Sequence, residues 1–195
     1  MIYSGNLPNK KYQIIYADPP WNFTAWSNKA QRHVSKEYPT MTFKEINELP
    51  VAGITQDNAA LFLWITLPNL PACLDTMKRW GFEYKTCAFN WIKTYPFSGK
   101  VFFGMGYYTR SNSELCLLGI KGKPLFRESH SISQILTSPV EKHSKKPDIT
   151  RGKIVELFGD IPRIELFARQ ETPGWDCWGN ELVADQPLLQ AVNQF

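Results

Sequence analysis

Five short apolar segments spaced along the chain constrain its fold more than any other feature. Each combines Ile, Leu, Val or aromatic residues without regular polar alternation, which is typical of a strand buried on both faces of a sheet. They cover residues 12–17, 59–65, 83–91, 114–120 and 163–167. A sheet buried on both faces must be covered by helices, which the rest of the chain has to supply.

Two of the intervening segments carry clear helix signals. Thr42, with Glu45 three residues later, forms a capping-box pattern that predicts a helix over residues 43–49. A second helix is predicted over residues 69–80, because Gly81 follows it as a C-terminal stop. Each helix therefore connects two of the predicted strands.

A third helix is expected after Pro147, with Asp148 as its N-cap and Gly159 at its end. The resulting order is strand, helix, strand, helix, strand, strand, helix, strand. That order predicts an open, mainly parallel α/β sheet with helices on both faces. Aromatic residues recur in the long segments without periodicity, which we expect to be site-forming loops. These segments are residues 22–39, 93–113, 121–146 and 170–180.

Composition sets the number of domains and excludes some classes of protein. The chain has 195 residues, 43% of them hydrophobic, so we expect one domain over residues 1–195, with a core of about 12–181 and a tail over 182–195. Its longest uncharged apolar run, residues 59–67, is about half the length of a membrane-spanning helix. We therefore expect a cytoplasmic protein without a membrane segment. Four scattered cysteines and three histidines predict neither a disulfide framework nor a metal site.

The most specific motif is the tetrapeptide Asp18-Pro19-Pro20-Trp21, directly after the first predicted strand. In open α/β sheets ligands bind beyond the carboxyl ends of the strands. Two consecutive prolines fix the backbone there, and they contribute carbonyl acceptors without N–H groups of their own. The motif therefore predicts a rigid platform of hydrogen-bond acceptors beside a large aromatic ring.

Such a platform suits a planar group that carries an amine, such as adenine. If the Asp18 carboxylate and the Pro19 carbonyl accept its hydrogens, the amine nitrogen can direct its lone pair at an electrophile while Trp21 stacks on the base. The alternative is that the tetrapeptide is only a turn, because Asp and Pro are common turn residues. The buried strand before the motif and the aromatic loops after it favour the functional interpretation.

Further segments follow this motif in a recognisable order. They are Tyr38-Pro39-Thr40-Met41, His143-Ser144-Lys145-Lys146-Pro147, Ile164-Glu165-Leu166-Phe167-Ala168-Arg169, and Trp175 with Gly179-Asn180. The series resembles the N6-adenine methyltransferase family typified by the 70-kDa subunit of mRNA adenosine methyltransferase, and especially its compact bacterial and bacteriophage branch. The resemblance implies a Rossmann-like fold that uses S-adenosyl-L-methionine, with permuted motifs so that the catalytic strand precedes the cofactor strand.

The resemblance also assigns roles to individual residues. It implies a catalytic platform formed by Asp18, Pro19, Pro20 and Trp21. It implies contacts with S-adenosyl-L-methionine by Asp18, Lys146, Glu165, Arg169 and Asn180. It implies contacts with the target nucleotide by Trp21, Tyr38, Tyr108, Arg110 and Asn112. The residues alone allow two interpretations of Glu165 and Arg169. An acid and an Arg near a strand end can hold ribose hydroxyls, or they can merely pair with each other.

Three features qualify the resemblance. Eukaryotic members have His-Asn where this chain has Glu171-Thr172, and Gln where it has Glu181, so none of these three residues is assigned to the site. Residues 102–106 spell F-x-G-x-G, the pattern of many cofactor loops, but no convincing strand precedes them and no helix follows. We place this segment on the target side, with a packed Ω-loop as the alternative.

The predicted activity is methyl transfer from S-adenosyl-L-methionine to the N6 amine of adenine in nucleic acid, with DNA favoured and RNA possible. A formal charge of +4 is compatible with such a partner. Phosphate contacts are expected from Lys29, Arg32, His33, Lys36, Lys121, Lys123 and Arg127. The alternatives are a noncatalytic nucleic-acid-binding subunit and a methyltransferase of protein side-chain amides, which uses a related tetrapeptide with Tyr in place of Trp. The protein is expected to act as a monomer or homodimer.

Overall fold

A computed structural model describes residues 6–22, 40–106, 108–141 and 145–183. Seven strands form one sheet: β1 Tyr12–Ala17, β2 Thr55–Ile65, β3 Glu83–Thr94, β4 Ser113–Lys121, β5 Ile135–Pro139, β6 Arg163–Leu166 and β7 Asp176–Trp178. Within the described ranges the α-helices are α1 Phe43–Asn47, α2 Leu70–Arg79 and α3 Ile149–Phe158. None of these helices is long and apolar enough to cross a membrane.

The sheet has the order β5-β3-β4-β2-β1-β6-β7 and is mostly parallel. Strand β1 pairs in parallel with β2 and β6, β6 with β7, and β3 with β5. Strand β4 is antiparallel to both of its neighbours, β2 and β3. The predicted α/β class with a mainly parallel sheet is confirmed.

Helices cover both faces of the sheet, and β1 explains why its sequence is apolar throughout. Ile15 packs on the face covered by α1 and α2, together with Ile46 and Trp80. Ile14 packs on the opposite face, where Phe158 of α3 contacts the sheet. Because neighbouring residues of a strand point to opposite faces, a strand covered on both sides needs apolar residues at consecutive positions.

The register aligns the ends of the central strands. Ala17 of β1 lies level with Leu63 of β2 and with Leu166 of β6. The residues that follow β1 and β6 therefore emerge side by side at one edge of the sheet. Helix α3, which leads into β6, covers the face opposite α1, so this edge is the place where an α/β sheet forms its ligand cleft.

The three predicted helices are present, but one predicted N-cap is not formed. The Thr42 hydroxyl accepts from the backbone N–H of Glu45, and the Glu45 carboxylate accepts from the N–H of Thr42, which confirms the capping box. Asp148 precedes α3 as predicted, but its side chain does not cap the helix. Its carboxylate binds Lys145 and Arg151 instead, because these cations outcompete a backbone N–H for it.

Two strands arise in segments that were predicted to be loops. Strand β5 lies within residues 121–146, and β7 lies within residues 170–180. Both are short strands at the outer edges of the sheet, and most residues of β5 are exposed or half-buried. An edge strand with little burial has no continuous apolar run, so the pattern that revealed the central strands is missing.

Candidate active site

A cleft of ≈ 290 Å³ opens beyond the carboxyl ends of β1 and β6. It brings together Asp18, Lys146, Glu165 and Arg169, four residues that are distant in sequence and that were predicted to contact the methyl donor. The register of β1 and β6 brings Asp18 close to Glu165 and Arg169, and Lys146 reaches Asp18 from the segment that leads into α3. Their contacts with a donor remain a prediction.

The tetrapeptide platform is held by backbone hydrogen bonds. The Pro19 carbonyl accepts from the N–H of Trp21 at 2.8 Å, and the Pro20 carbonyl accepts from the N–H of Met41 at 3.0 Å. Met41 also forms a parallel bridge with Trp21. The backbone after Asp18 is thus fixed in place, and the Pro19 carbonyl retains one lone pair for a further donor.

Trp21 is packed into the core beneath this platform. Its side chain is 3% exposed and stacks on Phe43 with ring centroids 5.4 Å apart. Its indole N–H donates to the backbone carbonyl of Trp64 at 2.9 Å. Trp21 therefore anchors the loop that carries Asp18, and its predicted stacking on a target base stays a prediction.

Four charged side chains form a network around the platform. The Lys146 ammonium lies 2.9 Å from the Asp18 carboxylate and 3.3 Å from that of Glu114. Glu114 also pairs with Lys93. Lys146 and Lys93 further lie over the rings of Trp64 and Trp91, respectively. Asp18 is thereby connected through partly buried ion pairs to the ends of β3 and β4.

Burial and the neighbouring charges set the protonation of this network. Burial raises the pKa of Asp18, the nearby Glu114 carboxylate raises it further, and Lys146 opposes both. Burial also acts to raise the pKa of Glu114, but the two lysines outweigh it and hold that pKa below its usual range. Burial disfavours the charged form of Lys146, yet its two carboxylate partners raise its pKa. A further cationic group beside Asp18 would therefore favour its ionised form.

A second buried ion pair forms the opposite wall of the cleft. Arg151, from the first turn of α3, donates to both carboxylate oxygens of Glu165, at 2.6 and 2.9 Å. Burial raises the pKa of Glu165 despite this pairing. Arg169 lies 3.6 Å from the Glu181 carboxylate. Glu165 thus pairs with Arg151, so the sequence-based alternative that Glu165 and Arg169 pair with each other is wrong.

The chain after β6 takes an unusual path into the cleft. Phe167 has a positive φ of 63° and packs edge-to-face on Trp178 at 5.6 Å. A Cβ atom on Gly179 would lie 1.9 Å from the carbonyl oxygen of Ala168, so only glycine fits there. This close approach sets the position of Asn180, which is half-buried directly after β7.

Three of the predicted target-binding residues lie between β3 and β4. Tyr108 and Arg110 are exposed, and Asn112 is half-buried at the base of this segment. Among the residues that the structure describes, none of positions 102–106 lines the cleft, as expected if the F-x-G-x-G pattern is not a cofactor loop. Tyr38 lies outside the described residues.

Three of the residues predicted to contact phosphate are described by the structure, and they lie away from the cleft. Lys121 pairs with Ala59 at the start of β2, so it lies at the edge of the sheet opposite Asp18. Lys123 follows Lys121 at that edge. Arg127 lies near the last turn of α3, because the N–H of the next residue, Glu128, donates to the Leu157 carbonyl. These three residues do not line the cleft. Their predicted contacts with phosphate stay a prediction. The other residues in this prediction, Lys29, Arg32, His33 and Lys36, lie outside the described residues.

Several residues of the cleft were missed by the sequence analysis. They are Tyr16, Lys145, Arg151, Phe167, Gln170 and Glu181 in the lining, and Lys93 with Glu114 behind Lys146. A usable signal existed for Arg151, because it lies in the first turn of a helix predicted to begin at the cleft. Glu181 is not assigned to the site from the sequence, because it differs from the eukaryotic pattern. In the structure it lines the cleft beside Arg169.

Comparison with known proteins agrees with the order of these motifs. Residues 12–181 match the family described as MT-A70. The chain belongs to the MT-A70 family. The resemblance inferred from the sequence is thereby confirmed over the strands and loops that form the cleft.

Proteins similar to this chain differ in how much of their own length it covers. The type II methyltransferase M.MunI from Mycoplasma sp. is 37% identical over 193 residues, covering 90% of this chain and 80% of that protein. An N(6)-adenosine-methyltransferase MT-A70-like protein from Drosophila melanogaster is 31% identical, and the N(6)-adenosine-methyltransferase catalytic subunit METTL3 from Homo sapiens is 30% identical. Each match covers 88% of this chain but only 27% and 28% of the respective relative.

Proposed function

We propose that this protein transfers a methyl group from S-adenosyl-L-methionine to the N6 amine of adenine in DNA. The observation that carries the proposal is the convergence of Asp18, Lys146, Glu165 and Arg169 in one cleft of an MT-A70 family member. We place DNA before RNA because the type II methyltransferase matches over most of both chains. The N(6)-adenosine methyltransferases match over little more than a quarter of their length.

The residues of the cleft fit this methyl donor. Asp18 and Lys146 present a carboxylate and an ammonium side by side, which complement the ammonium and carboxylate of an amino acid. The carboxylates of Glu165 and Glu181 and the guanidinium of Arg169 supply acceptors and donors for ribose and base. When bound, S-adenosyl-L-methionine supplies an electrophilic methyl group.

The protein's own contribution is orientation and electrostatics. The Asp18 carboxylate and the Pro19 carbonyl would accept the two hydrogens of the adenine amine and so direct its lone pair. Holding two reactants in alignment accounts for roughly 7–11 kcal/mol of a barrier, more than one general base of ordinary strength. Asp18 is then first an orienting acceptor, and it or water takes the amine proton after methyl transfer.

The test is to follow labelled methyl transfer to single- and double-stranded DNA and RNA. Products would be identified by mass spectrometry of nucleosides, and methylated positions would be mapped by sequencing. Asp18→Asn removes an acceptor without changing size, and Asp75→Asn, in an exposed pair with Arg79 on α2, is the matched control.

We expect N6-methyladenine in DNA from the wild type and the control, and a loss of roughly a hundredfold or more for Asp18→Asn. Substantial activity of a folded Asp18→Asn variant would contradict the role of Asp18. Product on RNA alone would replace DNA as the substrate. If the wild type binds the donor in calorimetry but yields no methylated nucleic acid, the result would favour a noncatalytic subunit. Methylation of a protein side-chain amide would favour the side-chain methyltransferase.

A further inference from the structure

The described residues 102–106 and 108–112, which we call the finger, lie between β3 and β4. The base of the finger is fixed, because the Phe102 N–H donates to the Lys93 carbonyl at 2.8 Å and the Lys93 N–H donates to the Asn112 carbonyl at 2.9 Å. Lys93 also belongs to the charged network that ends at Asp18. The base of the finger is therefore connected to Asp18 through the ion pairs of Lys93, Glu114 and Lys146.

The finger is narrow because its two arms touch through their backbones. Gly104 donates its N–H to the Ser111 carbonyl at 3.0 Å, and a Cβ atom on Gly104 would lie 2.2 Å from that oxygen. A Cβ atom on Gly106 would lie 1.9 Å from the Thr109 carbonyl oxygen. Neither glycine leaves room for a side chain between the arms, so the two arms of the finger lie in direct backbone contact.

The finger exposes large apolar side chains to solvent. Phe103 is 66% exposed, Met105 is 74% exposed and Tyr108 is 89% exposed. Several large apolar groups exposed within one short segment mark a contact surface. The finger contains Arg110 but no Asp or Glu, so its charge complements a polyanion and not a basic partner.

We propose that the finger enters the groove of a DNA duplex and that Met105 or Phe103 fills the gap left when the target adenine leaves the base stack. This inference rests on the proposed function and adds that the substrate is a paired duplex. The major groove admits elements as wide as a two-stranded ribbon, so it can hold two chain segments in direct backbone contact. Apolar side chains such as Phe and Met are the ones that proteins insert between base steps. Extrusion of a base costs unstacking and unpairing energy, which an inserted side chain offsets.

The experiment compares three forms of one oligonucleotide that carries the mapped target sequence. The target adenine is either in single-stranded DNA, paired with thymine in a duplex, or opposite an abasic site in a duplex. The enzyme is tested as wild type, as the double variant Phe103→Ala with Met105→Ala, and as Phe126→Ala. Phe126 is 79% exposed outside the finger, in the segment between β4 and β5, and serves as the matched control.

We expect the double variant to lose roughly tenfold or more in methylation rate on the paired duplex. On single-stranded DNA and opposite the abasic site its rate stays within about twofold of wild type, because a target already unpaired needs less help to leave the stack. Phe126→Ala matches wild type on all three forms. Unchanged melting temperatures of the variants show that the side chains act on the substrate and not on the fold.

Three results would overturn the inference while leaving the proposed function intact. They are an equal loss on all three forms, no loss on the paired duplex, or a wild type that methylates only single strands. An equal loss together with a change of oligomeric state in sedimentation would assign the finger to contact between copies of the chain. Absence of methylated adenine from wild type on every form would instead refute the proposed function itself.

Discussion

Replacement of Lys146 by Met isolates the electrostatic role of the network that holds Asp18. Lys146 is 11% exposed and contacts two carboxylates, at 2.9 Å and 3.3 Å. At an effective dielectric constant of about 20, these contacts correspond to about 6 and 5 kcal/mol of Coulomb attraction before desolvation is subtracted. Removing one partner of a buried ion pair typically costs about 3–5 kcal/mol, because the remaining charge is buried without compensation.

Protonation sets an upper limit on this loss. Without Lys146, the protein can keep Asp18 neutral, and the cost is then that of protonating a carboxyl group whose ordinary pKa is 3.8. At pH 7 this amounts to about 3.2 pH units at 1.36 kcal/mol each, or about 4.4 kcal/mol. The raised pKa of Asp18 in wild type means that the folded protein already bears part of this protonation cost. Lys146→Met therefore adds only the remaining part. We therefore expect Lys146→Met to lose about 3 kcal/mol of unfolding free energy at pH 7.

The sign of the pH dependence follows from the direction of the shift. A carboxyl group whose pKa is raised by folding destabilises the protein above its unfolded pKa, since the unfolded state then releases a proton that the folded state retains. The extra loss in Lys146→Met should therefore shrink as the pH falls. At pH 4.5 it should be at most about 1 kcal/mol, because the unfolded chain is then also partly protonated.

Urea unfolding monitored by tryptophan fluorescence at pH values from 4.5 to 7.5 measures this loss. Lys145→Met is the matched control, because Lys145 is 27% exposed and its partners Glu141 and Asp148 are about half exposed. Such exposed pairs contribute about 0–1 kcal/mol. A loss for Lys146→Met that is the same at pH 4.5 and pH 7.5 would refute the electrostatic reasoning and point to lost packing.

Three further predictions concern stability and binding. Gly179→Ala should lower the free energy of unfolding in urea by roughly 3 kcal/mol or more, because the new Cβ would lie 1.9 Å from the Ala168 carbonyl oxygen. The control is Gly152→Ala on α3, where the added Cβ meets nothing within 4 Å and stability should be unchanged or higher. Similar losses of stability in both variants would refute the steric argument. Arg151→Ala leaves the Glu165 carboxylate buried without its partner, so calorimetry should show weaker binding of S-adenosyl-L-methionine and unchanged affinity would remove this pair from the donor site. DNA binding by wild type should weaken as salt rises, and a flat dependence in filter binding would argue against phosphate contacts.

The sequence was sufficient to predict the place of the cleft but not the partners within it. Asp18 and Glu165 each lie at or next to the end of a buried strand, and the ends of parallel strands meet at one edge of a sheet. The pairing of Glu165 with Arg151 depends on how α3 is rotated over the sheet, which its sequence does not determine. The burial of Trp21 likewise depends on contacts with Phe43 and Trp64 from distant parts of the chain.

Strand direction explains why Lys121 lies away from the cleft. Strand β4 runs antiparallel to β2, so its first residues lie at the cleft and Lys121 lies at the opposite edge of the sheet. The order of predicted elements indicated a mainly parallel sheet but could not identify the strand that runs the other way. The same reversal places Glu114, at the start of β4, beside Lys146.

Antiparallel pairing of β3 with β4 also bears on how easily the proposed enzyme can change its target. Ile92 and Ser113 are paired neighbours across the two strands, so the ends of the chain between them are already held together. Doubling the length of such a loop costs only about 0.6 kcal/mol in closure entropy. Insertions, deletions and exchanges in this segment are therefore inexpensive for folding, whereas Asp18 is held by a strand, two prolines and a buried ion pair. The surface that we propose to meet the substrate can therefore change at little cost to the fold that holds Asp18.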